Sequence, residues 1–206
     1  MGRTTRAVAL VIAVCLACAG CNPIKRWGYS GGDRDAWQET GRVIATLGVA
    51  RGDVVADLGA GGGYFAFPLA QAVGAVGRVH AIDVDPGMVE YLREESVKRG
   101  LSQLVAVQAS EDDPNLPEGG VDLLFTCNTY HHLGDRVAYF ARLRPAIRPG
   151  GRLAVIEYRP GQGFLLGGHA TGADVIRSEL EQAGFVLDAE HEFLERQSFL
   201  VFSPAP

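Results

Sequence analysis

Beyond residue 21 the chain has a single cysteine, Cys127; the other three are Cys15, Cys18 and Cys21. One thiol makes neither a disulfide framework nor a cysteine-based zinc site, so the body of the protein is held by its core alone. Long apolar runs are also scarce. The run from Ala7 to Ala19 would span about 20 Å as a helix, short of the ~30 Å hydrocarbon layer, which makes a stable membrane span the weaker reading. Basic charge is short too: 19 lysines and arginines face 24 aspartates and glutamates, a formal charge of −5. A general nucleic-acid-binding surface is therefore not expected. With 47% hydrophobic and 21% charged residues the composition is that of a packed globule, not of a disordered chain. At 206 residues there is room for one α/β domain and not for two.

What is present begins at the amino terminus. Arg3 and Arg6 stand without an acid before the apolar run, and the run ends in Ala19-Gly20-Cys21. A basic flank, a short apolar stretch and a small-residue end describe an export signal. The ending resembles a bacterial lipobox, which implies that residues 1–20 are removed and that Cys21 is lipidated. Losing the two arginines leaves 19 − 2 = 17 basic residues against 24 acidic ones, a charge of −7. The expected location is then the bacterial cell envelope, with a lipid anchor as the membrane partner; a leader that does not function would leave the protein in the cytoplasm. Residues 21–34, with Pro23, Gly28, Gly31 and Gly32, read as a linker or arm ahead of a domain at 35–206.

Within that domain apolar runs and helical stretches alternate. Strands are expected at Val54 to Leu58, Val79 to Asp83, Val105 to Ala109, Val121 to Cys127 and Leu153 to Tyr158. Helices are expected from Asp35 to Leu47, Tyr64 to Val73, Pro86 to Arg99 and Arg136 to Ile147. A further helix to Ala183 opens at Thr171-Gly-Ala-Asp174, which resembles a capping box. Strands apolar on both faces and separated by helices build a parallel, doubly wound sheet. Phe185 to Phe193 and Ser198 to Phe202 leave too little chain between them for a crossover helix, so they form an antiparallel pair at the sheet edge.

Glycine is abundant, 27 residues in all, and densest in Asp57-Leu-Gly59-Ala-Gly61-Gly62-Gly63 between the first strand and its helix. A loop of this kind turns sharply and lets a ligand approach main-chain amides. Asp83 ends the second strand, where a carboxylate can accept hydrogen bonds from a ribose diol. The same glycines satisfy a dinucleotide-binding pattern through Ala66, but Asp57 stands two residues before the first loop glycine. A carboxylate there suits an amino-acid ammonium and repels a pyrophosphate.

The pattern Asp57-x-Gly59-x-Gly61-x-Gly63, with Asp83 after it, resembles the class I S-adenosylmethionine-dependent methyltransferases. The resemblance extends over Asp35 to Phe202. It implies a Rossmann-like, doubly wound seven-stranded sheet of order 3-2-1-4-5-7-6, and S-adenosyl-L-methionine as cofactor. It also implies that Gly59, Gly61 and Gly63 lie under the methionyl part, Asp57 fixes the loop and amino group, Asp83 holds the ribose and Met88 flanks the adenine. Glu111 or Asp112 would meet the adenine amino group, and Pro149 to Leu153 would be the turn before the fifth strand. The arm Asp33-Arg34-Asp35-Ala-Trp37-Gln38 is similar to a segment ahead of the core in some small bacterial methyltransferases.

The fourth strand runs into Cys127-Asn128-Thr129-Tyr130-His131-His132. Methyl transfer from a sulfonium needs positioning more than acid-base chemistry. Here His131 is the candidate proton acceptor, with Asn128 and Tyr130 as groups that orient either substrate or the methionyl carboxylate. Glu157 and Tyr158 close the fifth strand at the same edge. The glycine-rich loop after Arg159, with Phe164-Leu165-Leu166, suits a cover over an apolar acceptor. The function expected is methyl transfer to a small molecule. The alternatives are a non-catalytic envelope lipoprotein that uses the fold as a binding module, and a nicotinamide-dependent oxidoreductase.

Overall fold

The computed structural model describes residues 34–110, 112–162 and 170–206. The leader, Cys21, the linker up to residue 33, Glu111 and the Phe164-Leu165-Leu166 cluster lie outside the described residues.

Two short helices, α1 (Asp35–Gln38) and α2 (Thr40–Leu47), come first. The single helix expected from Asp35 to Leu47 is broken at Glu39, whose φ of 44° is left-handed. Asp35 causes the break: its Oδ1 accepts the Thr40 N–H at 3.1 Å and so caps the second helix, not the first. Strand β1 (Val54–Leu58), α3 (Ala66–Val73), β2 (Arg78–Asp83), α4 (Pro86–Lys98), β3 (Leu104–Gln108) and β4 (Val121–Cys127) follow. Asp85 caps α4 by accepting the Gly87 N–H at 2.8 Å, and Pro86 occupies the first turn, where its missing N–H does no harm.

A 3₁₀ turn at Tyr130–His132 leads to α5 (Arg136–Leu143), β5 (Ile147–Tyr158), α6 (Ala173–Gln182), β6 (Phe185–His191) and β7 (Gln197–Pro204). Helix α5 stops short of the expected Ile147, because Pro145 cannot donate to the helix ladder and the chain tightens into a 3₁₀ turn at Arg144–Ala146. Strand β5 starts earlier than expected. The register against β4 jumps from Val121↔Ile147 to Leu123↔Arg152, so the Pro149-Gly150-Gly151 turn is a bulge inside one strand. The capping box at Thr171 does not form: Gly172 occupies the cap position and no side chain caps the helix.

All seven strands join one sheet in the order β3-β2-β1-β4-β5-β7-β6, parallel except where β7 pairs antiparallel with β5 and β6. This is the order that the resemblance to class I methyltransferases implies. On one face Val55, Phe125, Ile156 and Phe199 pack against Val43 and Leu47 of α2 and Leu69 and Val73 of α3. On the other, Leu124, Val155 and Leu200 meet Phe140 of α5 and Ile176 and Leu180 of α6. Every parallel strand ends at the same edge. The turns after β1, β2, β4 and β5 meet there, as expected for the ligand-bearing edge of an open α/β sheet.

Candidate active site

The glycine loop is tied to β2 by its own backbone. Gly59 N–H and Ala60 N–H both donate to the Ile82 carbonyl at 2.9 Å, and Gly61 N–H donates to Asp83 Oδ2 at 2.8 Å. The amides the sequence reading offered to a ligand are thus already engaged at three positions, and the loop serves a ligand by close approach instead. That arrangement leaves a pyrophosphate without those donors. Gly59 has φ +74°, and a Cβ there would lie 2.1 Å from Thr129 Oγ1 and 2.8 Å from Thr129 Cβ. The turn after β4 is therefore pressed directly onto the turn after β1. Gly59→Ala is expected to destabilise the fold by about 1–3 kcal/mol through left-handed strain, before any clash with Thr129 is added. A fall of several degrees in the thermal midpoint checks this; an unchanged midpoint would mean that the two turns are not in contact.

Two carboxylates flank the loop. Asp83 Oδ1 accepts the Asp85 N–H at 2.9 Å while Oδ2 holds Gly61, so both oxygens are oriented by the backbone at the mouth of the site. Asp57 is buried within β1. Burial, and then the charge of Asp83, raise its carboxyl to about 7, partly offset by the Arg34 guanidinium. A buried carboxylate held near neutrality is a place where an incoming cation gains most. The ammonium of an amino-acid moiety is such a cation.

The sign of the resulting pH dependence follows directly. The folded-state value lies above the unfolded one, so the stability Asp57 contributes is complete in acid and is lost as pH rises through about 7. A bound cation requires the ionised form, so donor binding should weaken as pH falls below about 7. Asp57→Asn should abolish that slope and raise the melting temperature of the ligand-free protein at pH 8. Calorimetric titrations between pH 5.5 and 7.5 on both proteins check it. A slope that persists in the variant would assign the proton elsewhere.

The other expected site residues divide. Met88 is buried in the first turn of α4, on the helix that follows Asp83. Asp112 is exposed, and its backbone carbonyl accepts from Arg142 at 3.1 Å. Asn128 adopts φ 55°, and its side-chain oxygen accepts from Gln197 at 2.8 Å, so the amide faces β7. Tyr130 is a correction: it is wholly buried, stacks on Phe140 at 5.4 Å and donates to Glu179 at 2.8 Å. The 3₁₀ turn rotates Tyr130 into the core and removes it from the candidates for chemistry.

The same turn leaves His131 at the edge, its side chain 11% exposed, with Nδ1 2.9 Å from Glu157 Oε2. Glu157, which could equally have been a solvated strand end, has no exposed surface. Cys127 accepts from Gln38 at 3.0 Å, and burial pushes its thiol up to about 12, the behaviour of an inert packing group. Gln197 was missed as a site component, and Arg34 and Gln38, singled out only as part of the arm, had no individual roles assigned. Arg34 lies 4.1 Å over the Tyr64 ring beside the loop, bonds to Gln38, and lowers the carboxyl of Asp57, the thiol of Cys127 and the phenol of Tyr158 by its charge. Only contacts between the arm and distant strands reveal them, and no local pattern carries those contacts.

Comparison with known proteins bears on the same residues. Positions 55–151 match the family model described as a methyltransferase domain. These residues resemble a methyltransferase domain. The matched span runs from β1 through the glycine loop, Asp83 and the His131 turn to the bulge of β5. The chain is 37% identical over 113 residues to the aklanonic acid methyltransferase DauC of Streptomyces sp. (strain C5), covering 55% of this chain and 51% of that protein. It is 30% identical over 118 residues to the ubiquinone/menaquinone biosynthesis C-methyltransferase UbiE of Francisella philomiragia, covering 57% and 47%. The chain thus spans about half the length of these curated relatives. Its structure is similar to that of an S-adenosylmethionine-dependent methyltransferase from Aquifex aeolicus, with a TM-score of 0.80, 26% identity, and 87% and 97% of the two chains covered.

The residues present fit S-adenosylmethionine as a cofactor. Gly59 is packed so closely that only a glycine leaves room, Asp57 offers a buried negative charge, and Asp83 presents an oriented carboxylate.

Proposed function

We propose that the protein transfers the methyl group of S-adenosylmethionine to a small organic acceptor, with His131 taking the acceptor's proton. The observation that carries this is the packing of the β4 turn on the glycine loop, with Thr129 against Gly59 and His131 two residues further on. It places a titratable ring at the edge where the donor loop opens. Asp57 holds the ammonium and Asp83 the ribose, with Arg34 packed over Tyr64 beside the loop. When bound, the cofactor supplies an activated methyl group on a sulfonium. One relative is named for aklanonic acid and another for ubiquinone and menaquinone biosynthesis, which supports a small organic molecule as the acceptor class. Neither alternative, a binding module or a nicotinamide-dependent enzyme, draws support from these relatives. Incubation with methyl-labelled S-adenosylmethionine and a bacterial metabolite extract tests the activity: label should move into the organic-soluble fraction, and none should move without the protein.

We further propose export and lipid anchoring through Cys21. No described helix is long and apolar enough to cross a membrane. The basic flank and the Ala19-Gly20-Cys21 ending support the reading. Cys21→Ser should abolish labelling by a fatty-acid probe and release the protein from the membrane fraction; equal labelling of both forms would dismiss this site.

A further inference from the structure

The carboxyl edge holds a pair of residues whose geometry says more than that a base is present. Glu157 is fully buried at the end of β5, opposite Ser198 of β7. Its carboxylate is surrounded by donors: Oε1 accepts the Tyr158 N–H at 2.8 Å, and Oε2 accepts the His131 backbone N–H at 3.2 Å. The two backbone bonds engage one oxygen each, which is the pattern of an ionised carboxylate with only acceptors to offer. His131 Nδ1, 2.9 Å from Oε2, must then be the donor. A ring whose Nδ1 carries the proton presents an unprotonated Nε2.

A turn staple needs only the two backbone bonds. The third bond fixes a tautomer and so sets the chemistry open to the other ring nitrogen. Thiolates, neutral amines and lone-pair metalloids attack a sulfonium without a base. Hydroxyls and carbon acids are weak nucleophiles until their proton leaves.

On the reading of His131 given above, we propose that Glu157 is a positioning residue that holds His131 in the Nδ1–H tautomer, and that the acceptor is accordingly a hydroxyl or a carbon acid. As the oxygen or carbon forms its bond to the methyl carbon, the sulfur–carbon electron pair stays on sulfur. The acceptor's proton passes to Nε2, and the imidazolium formed is stabilised by the buried carboxylate on its far side until water takes the proton. Atoms and charge balance: a sulfonium and a protonated acceptor become a thioether, a methylated acceptor and one proton.

The test does not require the acceptor. The full chain, labelled with ¹⁵N-histidine, is studied by long-range ¹H–¹⁵N correlation at pH 8, with His131→Ala identifying the His131 signals. The wild-type ring should be in the Nδ1–H form, and Glu157→Ala, which leaves Nδ1 without its acceptor, should move most of the population to the Nε2–H form. The dissociation constant for S-adenosylmethionine should stay within about threefold in the variant, since Glu157 does not hold the donor. An Nε2–H tautomer in the wild type would overturn the proposal, and with it the claim on the acceptor. So would an unchanged tautomer in a folded Glu157→Ala protein. Because the wild-type measurement stands alone, a variant that fails to fold leaves the test intact. Failure to bind S-adenosylmethionine would strike the methyltransferase reading instead, and is seen in a separate titration.

Discussion

Asp83→Ala is expected to weaken binding of S-adenosylmethionine by roughly tenfold to 150-fold, the equivalent of about 1.5–3 kcal/mol for hydrogen bonds to a charged group. Two effects act together. The carboxylate is oriented by the Gly61 and Asp85 amides, so its unused lone pairs meet a diol without further ordering. Removing it also frees the Gly61 N–H, which loosens the loop at the point where it crosses β2. Asp83→Asn separates the two: one amide oxygen can still accept from Gly61, but the charge is gone. If ribose recognition dominates, both variants lose affinity while only the alanine protein melts earlier. An unchanged dissociation constant in a folded Asp83→Ala protein would remove the assignment.

The second large effect is on turnover. His131→Ala should lower it by about a hundredfold or more with donor affinity within a factor of a few, the signature of a base acting in the transition state alone. A purely structural ring predicts the opposite balance, because the ring sits against His132 at 4.1 Å and against Glu157, which would be left buried without one of its three donors. That loss would appear as a lower melting temperature and weaker donor binding at nearly preserved turnover. The pH profile of turnover decides between them: the acidic limb should vanish in the variant, and its persistence would name another group.

The fold was legible because its signals are local and redundant. Val54 to Leu58 and Val121 to Cys127 are bounded as the apolar runs predict, since interior parallel strands must be apolar on both faces. The short link between β6 and β7 forced their antiparallel pairing. The errors lie where a single side chain or a missing amide redirects the backbone: Asp35 restarting a helix at Thr40, Pro145 ending α5 early, Gly172 displacing Thr171 as a cap.

The site was legible in part for the same reason. Asp57, the loop glycines and Asp83 follow one another along β1 and β2, so spacing alone aligns them. Tyr130 and His131 are neighbours in sequence, and no sequence rule states which of the two a 3₁₀ turn sends inward. The partners that decide their roles, Glu179 for Tyr130 and Glu157 for His131, lie 49 and 26 residues away. Arg34 and Gln38 reach Asp57 and Cys127 only because α1 folds back over the sheet edge.

Isothermal titration of the full chain with S-adenosylmethionine, and in parallel with NADH, tests the central claim most directly. The account predicts saturable binding of one S-adenosylmethionine per chain, weakening below pH 7, and no heat from NADH. Binding of NADH, or the absence of any S-adenosylmethionine binding by the folded protein, would contradict it.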